Sequence, residues 1–252
     1  LIDSSTLKGI KCPVPVKSSA LSSGDLKKQF KEILIHTFEN IKNLQRPIYV
    51  PLSGGMDSRL VVSILKELNC RDVYSFSYGD INNHEVKTAK RVSEKLNVEW
   101  SFFPLNNAIQ RSAMLSEEFK KYLSNFDTGC STPFNQDFTA IHHNREYFHK
   151  DGIIINGNSG DFTTGGHMPD FFTNANQLSK EGLLQYIFKK HYTLWNSGSD
   201  QIKNKIFSAI TKEISRIEKN SKKNNFEIYQ LFEFFNRQVK FIVNGQRIYD
   251  HF

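Results

Sequence analysis

Apolar and polar positions along this chain change period several times, and the changes mark out elements. Short apolar runs at 48–52, 72–78, 98–103 and 152–156 read as strands. Between them, apolar residues recur at helical spacing, as at Leu60, Ile64, Leu65 and Leu68, which predicts helices near 58–69, 84–97, 106–123 and 136–149. A further helix starts at Asp25 and runs to about Lys42. Beyond His167 the pattern is helical only, with segments near 178–195, 200–222 and 225–250. Strands alternating with helices give an α/β fold, a parallel sheet covered by helices on both faces, here followed by a helical C-terminal part. Ligands of such sheets sit at the carboxyl ends of the strands.

The sequence is richest in chemistry at those strand ends. After Pro47-Ile48-Tyr49-Val50-Pro51-Leu52 comes Ser53-Gly54-Gly55-Met56-Asp57-Ser58, and then a helix. Adjacent glycines let backbone N–H groups approach an anion, and a helix start adds unpaired donors and a favourable dipole. The loop is not a Walker A loop, because no lysine follows the glycines. Asp57 beside a polyphosphate implies a divalent cation between the two charges, namely Mg²⁺. A plain tight turn, with Asp57 as a carboxylate favoured at a helix start, is the alternative reading.

The Ser53–Ser58 loop resembles the S-G-G-x-D-S pyrophosphate loop (PP-loop) of the N-type ATP pyrophosphatases, which cleave ATP between its α and β phosphates. Two further stretches narrow the likeness. Asp72-Val73-Tyr74-Ser75-Phe76-Ser77-Tyr78-Gly79, followed by the amphipathic run from Glu85 to Leu96, is similar to a strand and helix of asparagine synthetases. Ile153-Ile154-Ile155-Asn156-Gly157-Asn158-Ser159-Gly160-Asp161-Phe162-Thr163-Thr164-Gly165-Gly166-His167 resembles the G-E-G-x-D-E-x-F-G-G-Y loop of asparagine and β-lactam synthetases, with Gly157, Asp161, Gly165 and Gly166 in register. The aromatic stretch Tyr229–Gln238 is similar in position to the helices that close the synthetase domain, but reads first as an amphipathic core helix. The chain thus resembles the C-terminal domain of asparagine synthetases, with an adenine nucleotide alpha hydrolase-like fold.

The resemblance implies an ATP-dependent amide-forming ligase acting through an acyl-adenylate, with ATP and Mg²⁺ as cofactors. It places Leu52, Ser53, Gly54, Gly55, Asp57, Ser58, Tyr78, Glu85 and Gly157 around the nucleotide, and Asp57 and Asp161 on the metal. His167 stands where the family has a tyrosine of its proton-handling machinery, and is the candidate catalytic residue. Asn158 and Phe162 replace family carboxylates, so the ATP-handling half is better matched than the acceptor half. The family's catalytic lysine would fall beyond Phe252. An aspartate-like carboxylate and ammonia or an amine are the expected substrates, with a glutaminase domain or subunit as a possible nitrogen source. Two alternatives stay open: an ATP-binding module with weakened catalysis in a polysaccharide or natural-product pathway, and a tRNA-modifying PP-loop enzyme.

Composition bounds these readings. The 252 residues contain no run long and apolar enough for a membrane span and no secretory signal. Three cysteines, Cys12, Cys70 and Cys130, lie far apart without a C-x-x-C pair, which excludes a disulfide scaffold or zinc ribbon and suits a cytoplasmic location. The net charge of +7 is concentrated between Lys203 and Lys223. There Ile202, Ile206, Ile210, Ile214 and Ile217 share one face, so the lysines form the solvated opposite face, and nucleic acid is not the expected partner. His142 and His143 are adjacent and point to different helix faces, unlike a zinc-protease pair. Residues 1–24, with Pro13, Pro15 and a serine-rich stretch, read as a leading segment before a domain over 25–252. Both ends look cut, since the chain opens on Leu1 and the last helix has no stop signal after Phe252.

Overall fold

The computed structural model describes residues 22–125, 135–169, 179–194, 199–219 and 224–243, together with 245, 246 and 248. The leading segment therefore falls almost wholly outside the described residues, as do Cys12 and Cys130. The chain divides into two units, residues 1–45 and 46–252. The described part of the first is one helix, α1 (Ser23–Lys42). Ser22 caps it, its Oγ accepting from the Asp25 N–H at 3.2 Å, so the helix begins slightly earlier than Asp25.

The second unit alternates strands and helices: β1 (Ile48–Pro51), α2 (Met56–Glu67), β2 (Val73–Gly79), α3 (His84–Leu96) and β3 (Glu99–Pro104). Then come α4 (Asn107–Met114), α5 (Glu117–Asn125), α6 (Asn135–His143), β4 (Ile153–Ile154) and the short α7 (Gly160–Thr163). The helical part comprises α8 (Lys180–His191), α9 (Asp200–Glu218), α10 (Asn225–Glu233) and a π-helical stretch, Phe234–Val243. The sheet has the order β3-β2-β1-β4 with every pair parallel, as the alternation of elements predicts.

Local chemistry explains the boundaries. Asn83 caps α3 by accepting from Glu85 N–H at 2.9 Å, and Asn97 ends it in the left-handed region at φ 49°. Tyr49, Phe76, Phe103 and Ile141 form a buried aromatic cluster with Tyr147 and Phe148 packed against it. A second core in the helical part joins Leu183, Ile187, Ile210, Ile214, Ile217, Ile228, Tyr229 and Phe232. The isoleucine stripe of α9 thus buries its C-terminal half, while Ile202 stays 49% exposed. Each fully buried aliphatic side chain contributes about 1.5–3 kcal/mol.

Four predicted elements are corrected. The helix expected over 106–123 is two, because Ser116 Oγ donates to Ala113 O at 2.7 Å and accepts Phe119 N–H at 3.1 Å, ending α4 and starting α5. The helix expected over 136–149 stops at His143, where Asn144 Nδ2 donates to Ala140 O at 2.9 Å, and a 3₁₀ turn Arg145–Tyr147 follows. The strand expected over 152–156 pairs through two residues only, Ile48 with Ile153 and Tyr49 with Ile154. Finally, the helix expected from 225 widens to π geometry at Phe234, where Asn236 Nδ2 occupies the Phe232 carbonyl at 3.0 Å.

One buried hydroxyl locks the sheet beside the strand ends. Ser77 Oγ donates to Leu52 O at 2.6 Å and accepts Trp100 Nε1–H at 3.0 Å. Ser77→Ala strands both partners, so urea unfolding is expected to show a loss of about 1–3 kcal/mol. A variant as stable as the parent would mean that both partners find new bonds.

Candidate functional site

The first glycine loop connects β1 to α2. Gly55 is the N-cap of α2 and has no side chain to satisfy the first-turn N–H groups, which leaves them for a ligand. The loop is braced from within. Ser58 Oγ accepts Ser53 N–H at 3.1 Å and lies 3.1 Å from Ser53 Oγ, which in turn accepts Gly55 N–H at 3.1 Å. Arg59 Nε holds Gly55 O at 3.0 Å. Gly54 packs against the start of α3, where an added Cβ would lie 3.0 Å from Glu85 Cα.

The second glycine loop, after β4, closes onto the first. A Cβ on Gly157 would lie 2.5 Å from Ser58 N and 2.8 Å from Asp57 C, and one on Gly160 would run into the Asp57 carboxylate. Only glycine permits this approach. Ser159, between them, adopts a left-handed conformation at φ 72°, and its hydroxyl donates to Gln238 Oε1 on the π-helical stretch. Asn156 Nδ2 donates to Gln246 Oε1 at 2.6 Å, and Asn158 N–H to Asn156 Oδ1 at 3.0 Å. The C-terminal helical part therefore grips the second loop at both of these points.

Two adjoining cavities open at the strand ends, sharing Pro51, Ser53, Tyr78, Gln110 and Gln136. The larger, about 740 Å³, is lined by Ser53, Gly55, Asp57, Ser58 and Gly157 on its phosphate side. The smaller, about 510 Å³, takes in Leu52, Phe76, Tyr78, Glu85, Val86 and Leu105. Of the residues expected from sequence, Leu52, Ser53, Gly55, Asp57, Ser58, Tyr78, Glu85 and Gly157 line one or both cavities, and Gly54 packs on Glu85. Asp161 and His167 lie along the second loop but are not among the residues lining either cavity.

His167 stacks on Phe162, with ring centroids 4.6 Å apart, and neither ring nitrogen has a hydrogen-bond partner among the described residues. Burial holds its pKa below the ordinary histidine value, against the pull of the nearby Asp161 backbone and the Glu233 charge. Behind it lies a buried polar cluster with no sequence signal. Lys190 Nζ donates to His167 O at 3.2 Å and to the Tyr229 hydroxyl, and sits 3.3 Å from Glu233 Oε1. His191 Nε2 is 2.5 Å from the same Glu233 oxygen. Burial raises the Glu233 pKa, yet His191 and Lys190 outweigh it and hold the carboxyl down at about 2.

Sequence reasoning also missed Asp137. It is buried at the start of α6, accepts the Tyr78 hydroxyl bond and lines the larger cavity. Burial raises its pKa, and the Tyr78 bond opposes the rise. No motif announces it, since its partner lies on β2.

Metal fit can be judged from the donors. Among the described residues, no three acidic, histidine or cysteine side chains form a metal cage. Mg²⁺ held between protein and phosphates needs only one or two carboxylates. Asp57, in the first turn of α2, lines the cavity, and Gly160 leaves its carboxylate the space that a Cβ would fill.

The family model described as asparagine synthase matches residues 29–234. No curated protein matches the chain. Among solved structures, an NH3-dependent NAD synthetase from Campylobacter jejuni is 16% identical, covering 90% of this chain and 97% of that one, with a TM-score of 0.39. An NMN synthetase from Francisella tularensis is 13% identical, covering 84% and 95%, with a TM-score of 0.36. A predicted subunit of tRNA methyltransferase from Methanocaldococcus jannaschii is 15% identical, covering 67% and 75%, with a TM-score of 0.29.

Proposed function

The chain belongs to the asparagine synthase family, and from that premise we propose that it is an amide-forming ligase that activates a carboxylate with ATP. Family membership supports an ATP-dependent, ligase-like activity. The observation that carries the ligase reading is the meeting of the two glycine loops at Asp57, with Gly157 and Gly160 both in contact distance of it. A lone glycine turn has no reason to receive a second glycine loop so closely.

In this reading the adenosine occupies the smaller cavity, against Leu52 and Tyr78, with Glu85 at its edge. The pyrophosphate end lies on Ser53, Gly54, Gly55 and Ser58, a loop braced by its own hydrogen bonds, beside the uncapped first-turn N–H groups of α2. Mg²⁺, when bound, neutralises phosphate charge; Asp57 would hold it from the cavity wall, and Asp161, which lies along the second loop outside the lining, would join it only by turning toward the phosphates. A substrate carboxylate oxygen attacks the α-phosphorus, the bond to the bridging oxygen breaks, and pyrophosphate leaves. Ammonia or an amine then attacks the acyl carbon of the adenylate; AMP leaves with the C–O electron pair and one proton is released. Positioning accounts for most of the protein's part. His167, expected to handle protons, is screened by Phe162 and would serve from within the second loop. Nitrogen would come from a glutaminase domain or subunit, or from solution.

A second reading, nucleotide binding with weakened catalysis, draws on the same loop. Phe162 stacks on His167 where the family pattern has a carboxylate, and Asn158 replaces another. Pyrophosphate–ATP exchange with a panel of carboxylic acids separates the two. Acid-dependent exchange that Asp57→Ala abolishes is expected. ATP binding without exchange for any acid would favour the second reading, and ATP binding indifferent to Asp57→Ala would sink both.

A further inference from the structure

The wall of the larger cavity facing the phosphate loop has an unusual chemistry. Six carboxamides line it among the described residues: Gln110, Asn135, Gln136, Asn156, Asn158 and Gln246. They come from four places in the fold: α4, the start of α6, the second loop and the segment after the π-helical stretch. The only charged groups among the described lining residues are the carboxylates of Asp57 and Asp137, and Asp137 is engaged by the Tyr78 hydroxyl. Apolar surface interrupts the amides at Met114 and Ile242, and the Tyr78 ring adds an aromatic face.

A carboxamide presents a donor and an acceptor side by side. A hydroxyl likewise donates once and accepts, so rows of carboxamides match rows of hydroxyls. Ammonium and carboxylate groups of an amino acid call instead for full counter-charges. Apolar patches and an aromatic face among such polar groups suit the C–H surfaces of a sugar skeleton, cyclic or open-chain. We infer that the acid activated here is polyhydroxylated, a sugar acid of the uronate or aldonate class, bound chiefly by the carboxamides of Gln110, Asn135, Gln136 and Asn158, those of Asn156 and Gln246 being joined to each other, with its carboxylate directed toward the Ser53–Ser58 loop. This rests on the ligase reading and narrows it to a substrate class.

The decisive experiment is pyrophosphate–ATP exchange on the full-length protein with D-glucuronate, D-galacturonate and D-gluconate set against L-aspartate and L-glutamate. Sugar acids are expected to support exchange at least about tenfold more efficiently, the discrimination that one or two lost hydrogen bonds produce. Asn135 and Asn158 are exposed positions of the lining, so replacing them spares the fold. Asn135→Ala and Asn158→Ala should each raise KM for the preferred sugar acid by about tenfold and leave the KM for ATP in place. Exchange supported by aspartate or glutamate in preference to every sugar acid overturns this inference and leaves the ligase reading intact. KM values for the sugar acid that neither substitution moves also overturn it. Absence of exchange with all five acids, despite ATP binding, removes the ligase reading and this inference with it.

Discussion

Gly157→Ala is expected to weaken ATP binding by about 10- to 100-fold, measured by titration calorimetry with a non-hydrolysable ATP analogue. The added methyl would sit 2.5 Å from Ser58 N, 2.8 Å from Asp57 C and 2.9 Å from Asp57 Cβ. Two of those atoms are backbone atoms, so no side-chain rotation relieves the clash, and the two glycine loops must separate. Overpacking of this kind costs about 1–3 kcal/mol, and spent on ATP affinity that is the stated loss. Gly165 provides the control. It has φ 80° but nothing within 4 Å of an added Cβ, so Gly165→Ala brings backbone strain of about 1–2 kcal/mol without touching the phosphate loop. ATP affinity unchanged in Gly157→Ala would show that the loops do not act together.

Glu233→Gln is expected to lower stability by roughly 3–5 kcal/mol near neutral pH, the range for breaking a buried ion pair. Glu233 is fully buried and gathers His191 at 2.5 Å and Lys190 at 3.3 Å. Removing its charge leaves the partly buried Lys190 ammonium without its counter-ion. The folded pKa is depressed, from 4.5 to about 2, so the folded protein binds this proton more weakly than the unfolded chain does. The carboxylate's stabilisation is therefore complete above about pH 4.5 and fades as pH falls toward 2. Urea unfolding of both proteins should show a wide gap at pH 7 that narrows below pH 4.5. A gap that stays constant over that window would mean that the charge contributes nothing and that the loss is one of packing.

The two loops were legible in the sequence because their chemistry is local. Gly54, Gly55 and Asp57 are neighbours in the chain, as are Gly157, Asp161, Gly165 and Gly166, and each group follows an apolar run that reads as a strand. The strand–helix alternation and the parallel sheet followed from periodicity in the same way. Asp137, Lys190, Glu233 and the carboxamide wall were not legible, because each takes its meaning from a partner on a distant element. Asp137 is an ordinary helix-start acid until Tyr78 of β2 reaches it. Lys190 and His191 look like the basic last turn of a helix, and they are that too. Ser116 and Asn144 end helices by side-chain bonds to nearby backbone, a competition that hydrophobic spacing does not register. Ser159 reads as a loop serine, and only the fold reveals a left-handed residue tied to Gln238.

The strand order also has a consequence in time. β1 carries the first glycine loop and pairs early with β2, but β4, which brings the second, joins β1 through two residues and through Arg46, whose side chain holds the Asp151 and Gly152 carbonyls at 2.6 and 3.3 Å. A nascent chain that has emerged only as far as β3 already owns three of the four strands and the whole of the Ser53–Ser58 loop, yet has no partner for Asp57. The pocket around Asp57 is thus completed only after β4 and the second loop have followed, joined to the sheet by a seam of two residues.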